Sequence, residues 1–143
     1  MHLTRFSDNA LRCLTFLALA PQTSATTASI AASMALSEGH LMKVVQRLAA
    51  LGFIETTRGR GGGIRLARPP EAIRIGTVIR ATEESFRLVE CFDPETNQCP
   101  IAPACVLAGV LDEALAAFLA VLDRVTLADL AVRPTQLRRL LRA

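Results

Sequence analysis

Three cysteines, Cys91, Cys99 and Cys105, lie in the stretch ECFDPETNQCPIAPAC with spacings C-x7-C-x5-C. Three thiols on one proline-containing loop suit a soft metal centre, because thiolates favour iron–sulfur clusters, zinc or copper(I). Structural zinc sites usually use paired knuckles with two to four intervening residues. The wider gaps suit a cluster, whose cysteines bind separate iron atoms. A fully cysteinyl cluster needs four thiolates, and the chain's remaining cysteine is Cys13. Cys13 follows Ala10 and precedes Phe16–Leu17 on the apolar side of a helix, so it is either a fourth ligand or a small buried hydrophobe. The histidines are His2 and His40. A cysteine nucleophile needs a histidine base nearby, and neither histidine is close in sequence. The glycine run RGRGGG lacks the strand–loop–helix setting of a phosphate-binding fingerprint. The chain therefore reads as a non-enzyme.

The thiols need a scaffold and a compartment. With 143 residues, 51% of them apolar, the chain can bury one core. No apolar run is long enough to span a membrane. The opening MHLTRFSDNALRC lacks the apolar stretch of an export signal. A cytoplasmic location is expected, and there clustered cysteines point to metal more than to disulfides. The net charge of +3 is unevenly spread. Residues 1–80 carry ten Lys/Arg against four Asp/Glu, residues 81–125 two against eight, and residues 126–143 four against one. A basic N-terminal block is an electrostatic footprint for nucleic acid.

The periodicity predicts mainly α structure with a small β wing: a winged helix-turn-helix followed by a long dimerisation helix. A first helix begins near Ser7 as cap and runs towards Pro21, with Leu11, Leu14, Leu17 and Ala18 on one face. Thr27 caps a short helix over SIAASMA, and Ser37 caps EGHLMKVVQRLAAL, whose inner face is Leu41, Val44, Val45, Leu48 and Leu51. Gly52 ends it in the left-handed conformation. FIETT and IRLA around RGRGGG form a two-stranded wing that stops at Pro69–Pro70. A short helix starts near Gly76 or Thr77. The cysteine loop follows over 85–105, and one long helix runs from about Ala104 to Val125. Its stripe of Leu107, Leu111, Ala114, Leu115, Phe118, Leu122 and Val125 calls for a second copy of the chain to cover it. Thr126 caps a last short helix. Three segments result: a DNA-binding domain over 1–80, a connecting helix and cysteine loop over 81–105, and dimerisation and C-terminal helices over 106–143.

In such a reader the start of the second helix faces base edges in the major groove. Ser37, Glu38, Gly39, His40 and Lys43 occupy that end, with Arg47 one turn on. Arg58 and Arg60 at the wing tip suit a narrow minor groove. Arg65 and Arg68 flank the wing within reach of phosphates. A dimer would read an inverted repeat in double-stranded DNA, with half-sites about one helical turn apart or a multiple of it.

Several stretches carry a resemblance: the opening LTRFSDNALRCL, the wing RGRGGGIRLARP with the following AIRIGTVIR, and C-x7-C-PIAPAC-x-L followed by TLADL. Over almost its whole length the chain resembles the NsrR-type, nitric-oxide-sensing branch of the bacterial iron–sulfur regulator family that also contains IscR. The resemblance implies a cytoplasmic homodimeric repressor with one [4Fe–4S] cluster per subunit, which releases its operator when nitric oxide nitrosylates the cluster. It implies that Cys91, Cys99 and Cys105 bind the cluster. The IscR branch adds a histidine three residues after the third cysteine, where this chain has Ala108. The NsrR branch instead implies an aspartate donated by the partner subunit, and the matching residue is Asp8. Arg12, four residues on, would orient it. Without that role Asp8 is a helix cap or a charge that complements the helix dipole. A [2Fe–2S] redox- or iron-responsive regulator and a zinc-stabilised DNA-binding dimer remain the alternatives.

Overall fold

The computed structural model describes residues 2–19, 24–57, 59 and 62–141. It is mainly helical, with one two-stranded antiparallel sheet. Helix α1 spans Arg5–Leu19, α2 Thr27–Met34 and α3 Glu38–Ala50. Strands β1 (Ile54–Thr57) and β2 (Gly63–Leu66) pair from Ile54↔Leu66 to Thr57↔Gly63. Helix α4 spans Ile75–Thr82, α5 Val106–Asp123, α6 Leu127–Leu130 and α7 Pro134–Leu141. Between α4 and α5 lies an irregular segment with single 3-10 turns at Glu90–Phe92 and Ala102–Ala104.

The helix starts differ from the expected caps by a few residues. Ser7 does not open α1. The Thr4 hydroxyl accepts the Ser7 N–H at 3.2 Å, and Ser7 itself is fully buried. The cap of α2 is Thr26, not Thr27: Thr26 and Ser29 exchange side-chain and backbone bonds in a capping box. Ser37 does stand at the start of α3, but its hydroxyl makes no cap bond. Gly52, at φ 70°, takes the left-handed position after α3. Thr126 caps α6 through a reciprocal box with Asp129.

The core gathers the inner faces predicted from periodicity. Leu14, Leu41, Val44 and Leu48 of α1 and α3 meet Ile30 of α2, Val78 and Ile79 of α4, and Ile54 and Ile64 of the wing. Burying each such aliphatic side chain contributes about 1.5–3 kcal/mol. Leu127, fully buried, adds the C-terminal part to the same core. It is held there by Ile75 N–H to Val125 O at 2.9 Å and Leu127 N–H to Ile73 O at 2.8 Å. The guanidinium of Arg138 on α7 donates to the Leu19 carbonyl and so caps the end of α1.

The wing is fastened to the helix-turn-helix by a further bridge. Ile64 and Ala25 exchange backbone bonds of 2.7 and 3.0 Å. Helix α5 is the opposite case. Among its 18 residues none is buried, and Val106, Leu107, Val110 and Val121 are 80, 61, 54 and 50% exposed. At about 27 Å it is long enough to serve as half of an interface. Among the described residues no helix is long and apolar enough to cross a membrane.

Candidate metal centre and nucleic-acid interface

The segment from Glu83 to Cys105 joins α4, the last helix of the winged unit, to α5. Its backbone is organised by one carboxylate. Asp93 is buried and accepts from the Thr96 hydroxyl at 2.8 Å, from the Glu95 N–H at 3.2 Å and from the Arg87 guanidinium. The Thr96 bond holds its carboxyl below the usual carboxylate range against the opposing effect of burial, with help from the Glu95 N–H and the Arg87 charge. The Glu90 carboxylate accepts the Gln98 N–H at 2.6 Å, which ties the neighbour of Cys91 to the neighbour of Cys99. The Asn97 side chain accepts the Cys99 N–H at 3.0 Å. Two successive turns then link Cys99 to Cys105, Ala102 N–H to Cys99 O and Cys105 N–H to Ala102 O.

Cys91 lies in the first 3-10 turn, and Cys105 is the N-cap of α5. All three thiols are free and half-buried. As a donor set they fit a soft metal centre: unpaired, reachable and carried on one self-bonded loop. Among the described residues no three His, Cys, Asp or Glu side chains converge tightly enough to hold a metal ion. Ligation would require the loop to draw its thiols together.

Cys13 stands apart from the loop cysteines. It is fully buried in the core, and that burial pushes its thiol up to about 12. Asp8 lies on the first turn of α1 and pairs with Arg12 at 2.9 Å, both side chains about half exposed. It faces outward. His2 is exposed at the terminus, and Ala108 has no donor.

The start of the same segment is tied to α1. The Thr4 N–H and hydroxyl donate to Glu83 Oε1 at 2.8 and 3.0 Å, and the Ser7 hydroxyl donates to Thr82 Oγ1 at 2.8 Å. No sequence signal marks this clasp, because each partner is an ordinary polar residue about 75 positions from its mate.

The nucleic-acid side is organised by α3. Ser37, Glu38, Gly39, His40 and Lys43 are all exposed at its start. Beyond Gly39 the space is open to 4 Å. Further along, exposed Met42 and Gln46 line a groove of about 730 Å³ between α3, the start of α2 and the wing residues Thr56 and Thr57. Arg47, expected at bases, donates to the Ala81 carbonyl at the end of α4. Arg65 pairs across the wing with Glu55 at 2.8 Å. Arg68 donates to the carbonyls of Leu51 and Gly52 and stacks 5.3 Å over Phe53, so it caps α3. Arg58 and Arg60 lie outside the described residues.

Known proteins share this plan. The family of Rrf2 proteins, iron-dependent transcriptional regulators, matches residues 3–133. The chain is 50% identical over 143 residues to the HTH-type transcriptional regulator NsrR of Bacillus subtilis strain 168, covering 99% of this chain and 98% of that one. It is 51% identical over 143 residues to NsrR of Geobacillus kaustophilus, covering 99 and 97%. Among solved structures, T. potens IscR is similar with a TM-score of 0.73 and 26% identity over 90% of this chain and 85% of that one. CymR, the global cysteine regulator of B. subtilis, gives 0.71 and 27% over 92 and 96%.

Proposed function

The chain belongs to the Rrf2 family of iron-dependent transcriptional regulators and is a DNA-binding regulator, not an enzyme; from that premise we propose a homodimeric, cytoplasmic bacterial repressor that senses nitric oxide through an iron–sulfur cluster. Cys91, Cys99 and Cys105 of one subunit and Asp8 of the partner subunit hold one [4Fe–4S] cluster per subunit. When bound, the cluster supplies iron that nitric oxide nitrosylates.

One observation carries the reading. The thiol loop joins the winged unit's last helix to α5, which packs on α4 near its C-terminal end but leaves Val106, Leu107 and Val110 exposed among the described residues. A loop placed there sets how α4 and its DNA-reading partners sit on the dimer axis. Asp8 couples the same loop to the partner's α1, as a hard, exchangeable carboxylate on a soft site. Arg12 orients Asp8 while it is engaged and pairs with it after release. Freed of that tether, α1 shifts against Thr82 and Glu83, and the spacing of the two α3 helices leaves register with the inverted repeat. A change of about 3 kcal/mol would weaken operator binding more than a hundredfold.

The test is operator titration by gel shift with air-free cluster-loaded protein, the same protein after nitric oxide, and apoprotein. Loaded protein should bind far more tightly than the other two. Equal affinities would refute the switch. Asp8→Ala should alter cluster absorbance or its reaction with nitric oxide while the fold persists. Iron and sulfide analysis with Mössbauer spectra separates this reading from a [2Fe–2S] redox- or iron-responsive regulator and from a zinc-stabilised dimer.

A further inference from the structure

Among the described residues of the winged unit, the basic side chains divide sharply by what they touch. Arg12, Arg65 and Arg80 each pair with a carboxylate. Arg47, Arg68 and Arg74 each donate to a backbone carbonyl. Arg5 and Lys43, both exposed, have no acidic partner among the described residues. These two uncommitted cations are not scattered. Both line one cleft of about 200 Å³ where the first turn of α1 faces the start of α3. Asn9 and His40 supply further polar groups to its walls, and Phe6 and Val44 form an apolar floor.

We propose that this cleft is a binding site for a backbone phosphate of the operator, with Arg5 and Asn9 of α1 closing on it from one side and Lys43 and His40 of α3 from the other. Arginine presents a planar fork of N–H donors that matches phosphate oxygens, and asparagine adds a neutral donor. Lys43 and His40 stand beside the residues that face the groove, so a phosphate seated here fixes the register of α3 without reading a base. The apolar floor leaves the cationic groups facing outward. Arg5 and Asn9 are one turn apart on α1, and Asp8 lies between them on that turn.

The regulatory consequence rests on the sensing reading given above. The helix that offers Asp8 to the partner subunit also grips the DNA. Movement of α1 would then break a phosphate contact directly, as well as altering the spacing of the two α3 helices.

The experiment measures binding of Arg5→Gln and Arg5→Lys to the operator and to an unrelated duplex across a range of salt concentrations. Arg139→Gln on α7 controls for the loss of one positive charge per subunit. A dimer carrying Arg5→Gln loses two phosphate contacts, so its slope of log affinity against log salt should be shallower by about 2. Both duplexes should weaken by the same factor. Arg5→Lys should recover most of the slope. Ethylation interference at one phosphate per half-site should vanish with Arg5→Gln. An unchanged slope, or a change matched by Arg139→Gln, overturns the site, as does a loss confined to the operator. A missing difference between cluster-loaded protein and apoprotein would strike the sensing reading alone and leave the phosphate contact standing. Arg5 has no acidic partner to lose, so thermal melting of the variants should match the parent.

Discussion

Gly63→Ala tests whether the wing is fixed by backbone sterics. Gly63 has φ 157°, a conformation that side-chain-bearing residues rarely adopt. A Cβ there would lie 2.8 Å from both the Ala25 carbonyl oxygen and the Ser24 Cβ, and 3.1 Å from the Ser24 hydroxyl. The carbonyl cannot step aside cheaply, because it accepts the Ile64 N–H at 2.7 Å. Retaining the backbone angle costs about 1–3 kcal/mol. Relieving the clash instead opens the Ile64–Ala25 pair, at about 1 kcal/mol for each of its two bonds. Where strain is retained and the pair also opens, the expected total destabilisation is about 3–5 kcal/mol. Gly59 supplies the comparison: its φ is 98°, but a Cβ at that position would meet nothing within 4 Å, so Gly59→Ala should cost about 1–2 kcal/mol of strain alone. Urea unfolding gives both values, and hydrogen exchange at Ile64 and Ala25 reports the bridge. Operator affinity should fall with Gly63→Ala while cluster absorbance stays unchanged. If Gly63→Ala proves as mild as Gly59→Ala and both amides stay protected, the wing is not anchored by that contact.

Other expectations follow from the buried polar contacts. In native apoprotein a maleimide should label Cys91, Cys99 and Cys105 and spare Cys13, whose thiol is pushed up to about 12 by burial; rapid labelling of four thiols would refute this. Ser7→Ala should cost about 1 kcal/mol in urea unfolding, because the Thr82 hydroxyl keeps its bond to the Val78 carbonyl at 2.9 Å. Desolvation tends to raise the Glu83 carboxyl, but the nearby Ser7 side chain and the bonds from the Thr4 N–H and hydroxyl outweigh it and hold the carboxyl below its ordinary 4.5. Its contribution is therefore fully present above about pH 4.5 and is lost as pH falls through the folded-state value. Acid unfolding of Glu83→Gln should lack that component, and superimposable acid curves would sink the assignment. At Gly76 a Cβ would fall 2.0 Å from Asp123 Oδ1, so Gly76→Ala must displace the Arg80–Asp123 pair that clamps α4 to α5. If that is its only effect, adding Gly76→Ala to Asp123→Ala should change operator affinity no further.

Much of this architecture is legible in the chain because its signals are local. The apolar period of α1, α3 and α4, the glycine after α3 and the Thr126 box each specify an element within a few residues. The cysteine triplet likewise marks its own loop. The caps that differ from expectation, Thr4 for Ser7 and Thr26 for Thr27, do so because several Ser and Thr stand close together and only packing selects one. Ser7 is taken by its bond to Thr82, a residue no local rule would pair with it. The arginines show the same limit. Arg47, Arg65 and Arg68 look alike as positive charges near a wing, yet one grips α4, one crosses the wing and one caps α3. Arg5 carries no motif at all, and only the approach of α1 to α3 gives it a neighbourhood.

The placement of contacts along α1 limits how a signal at Asp8 can travel. The helix runs 15 residues, about 22 Å, without glycine or proline inside it, so it does not bend easily and transmits displacement as a rod. Ala10, Cys13, Leu14 and Leu17 are wedged into the core, where close packing resists sliding. Its far end is held by the Arg138 guanidinium on the Leu19 carbonyl. The near end is different. Asp8 and Arg12 are half exposed, the bonds from Thr4 to Glu83 lie at the surface, and the buried tie at this end is the bond from Ser7 to Thr82. A push at Asp8 is therefore resisted least by rocking the N-terminal end about the buried middle. That motion loads the Glu83 clasp, where the thiol loop begins, and the cleft beside His40 and Lys43, where α3 begins. Both lie within the first two turns of the rod, so a displacement of the turn that carries Asp8 reaches the start of α3 without passing through the core.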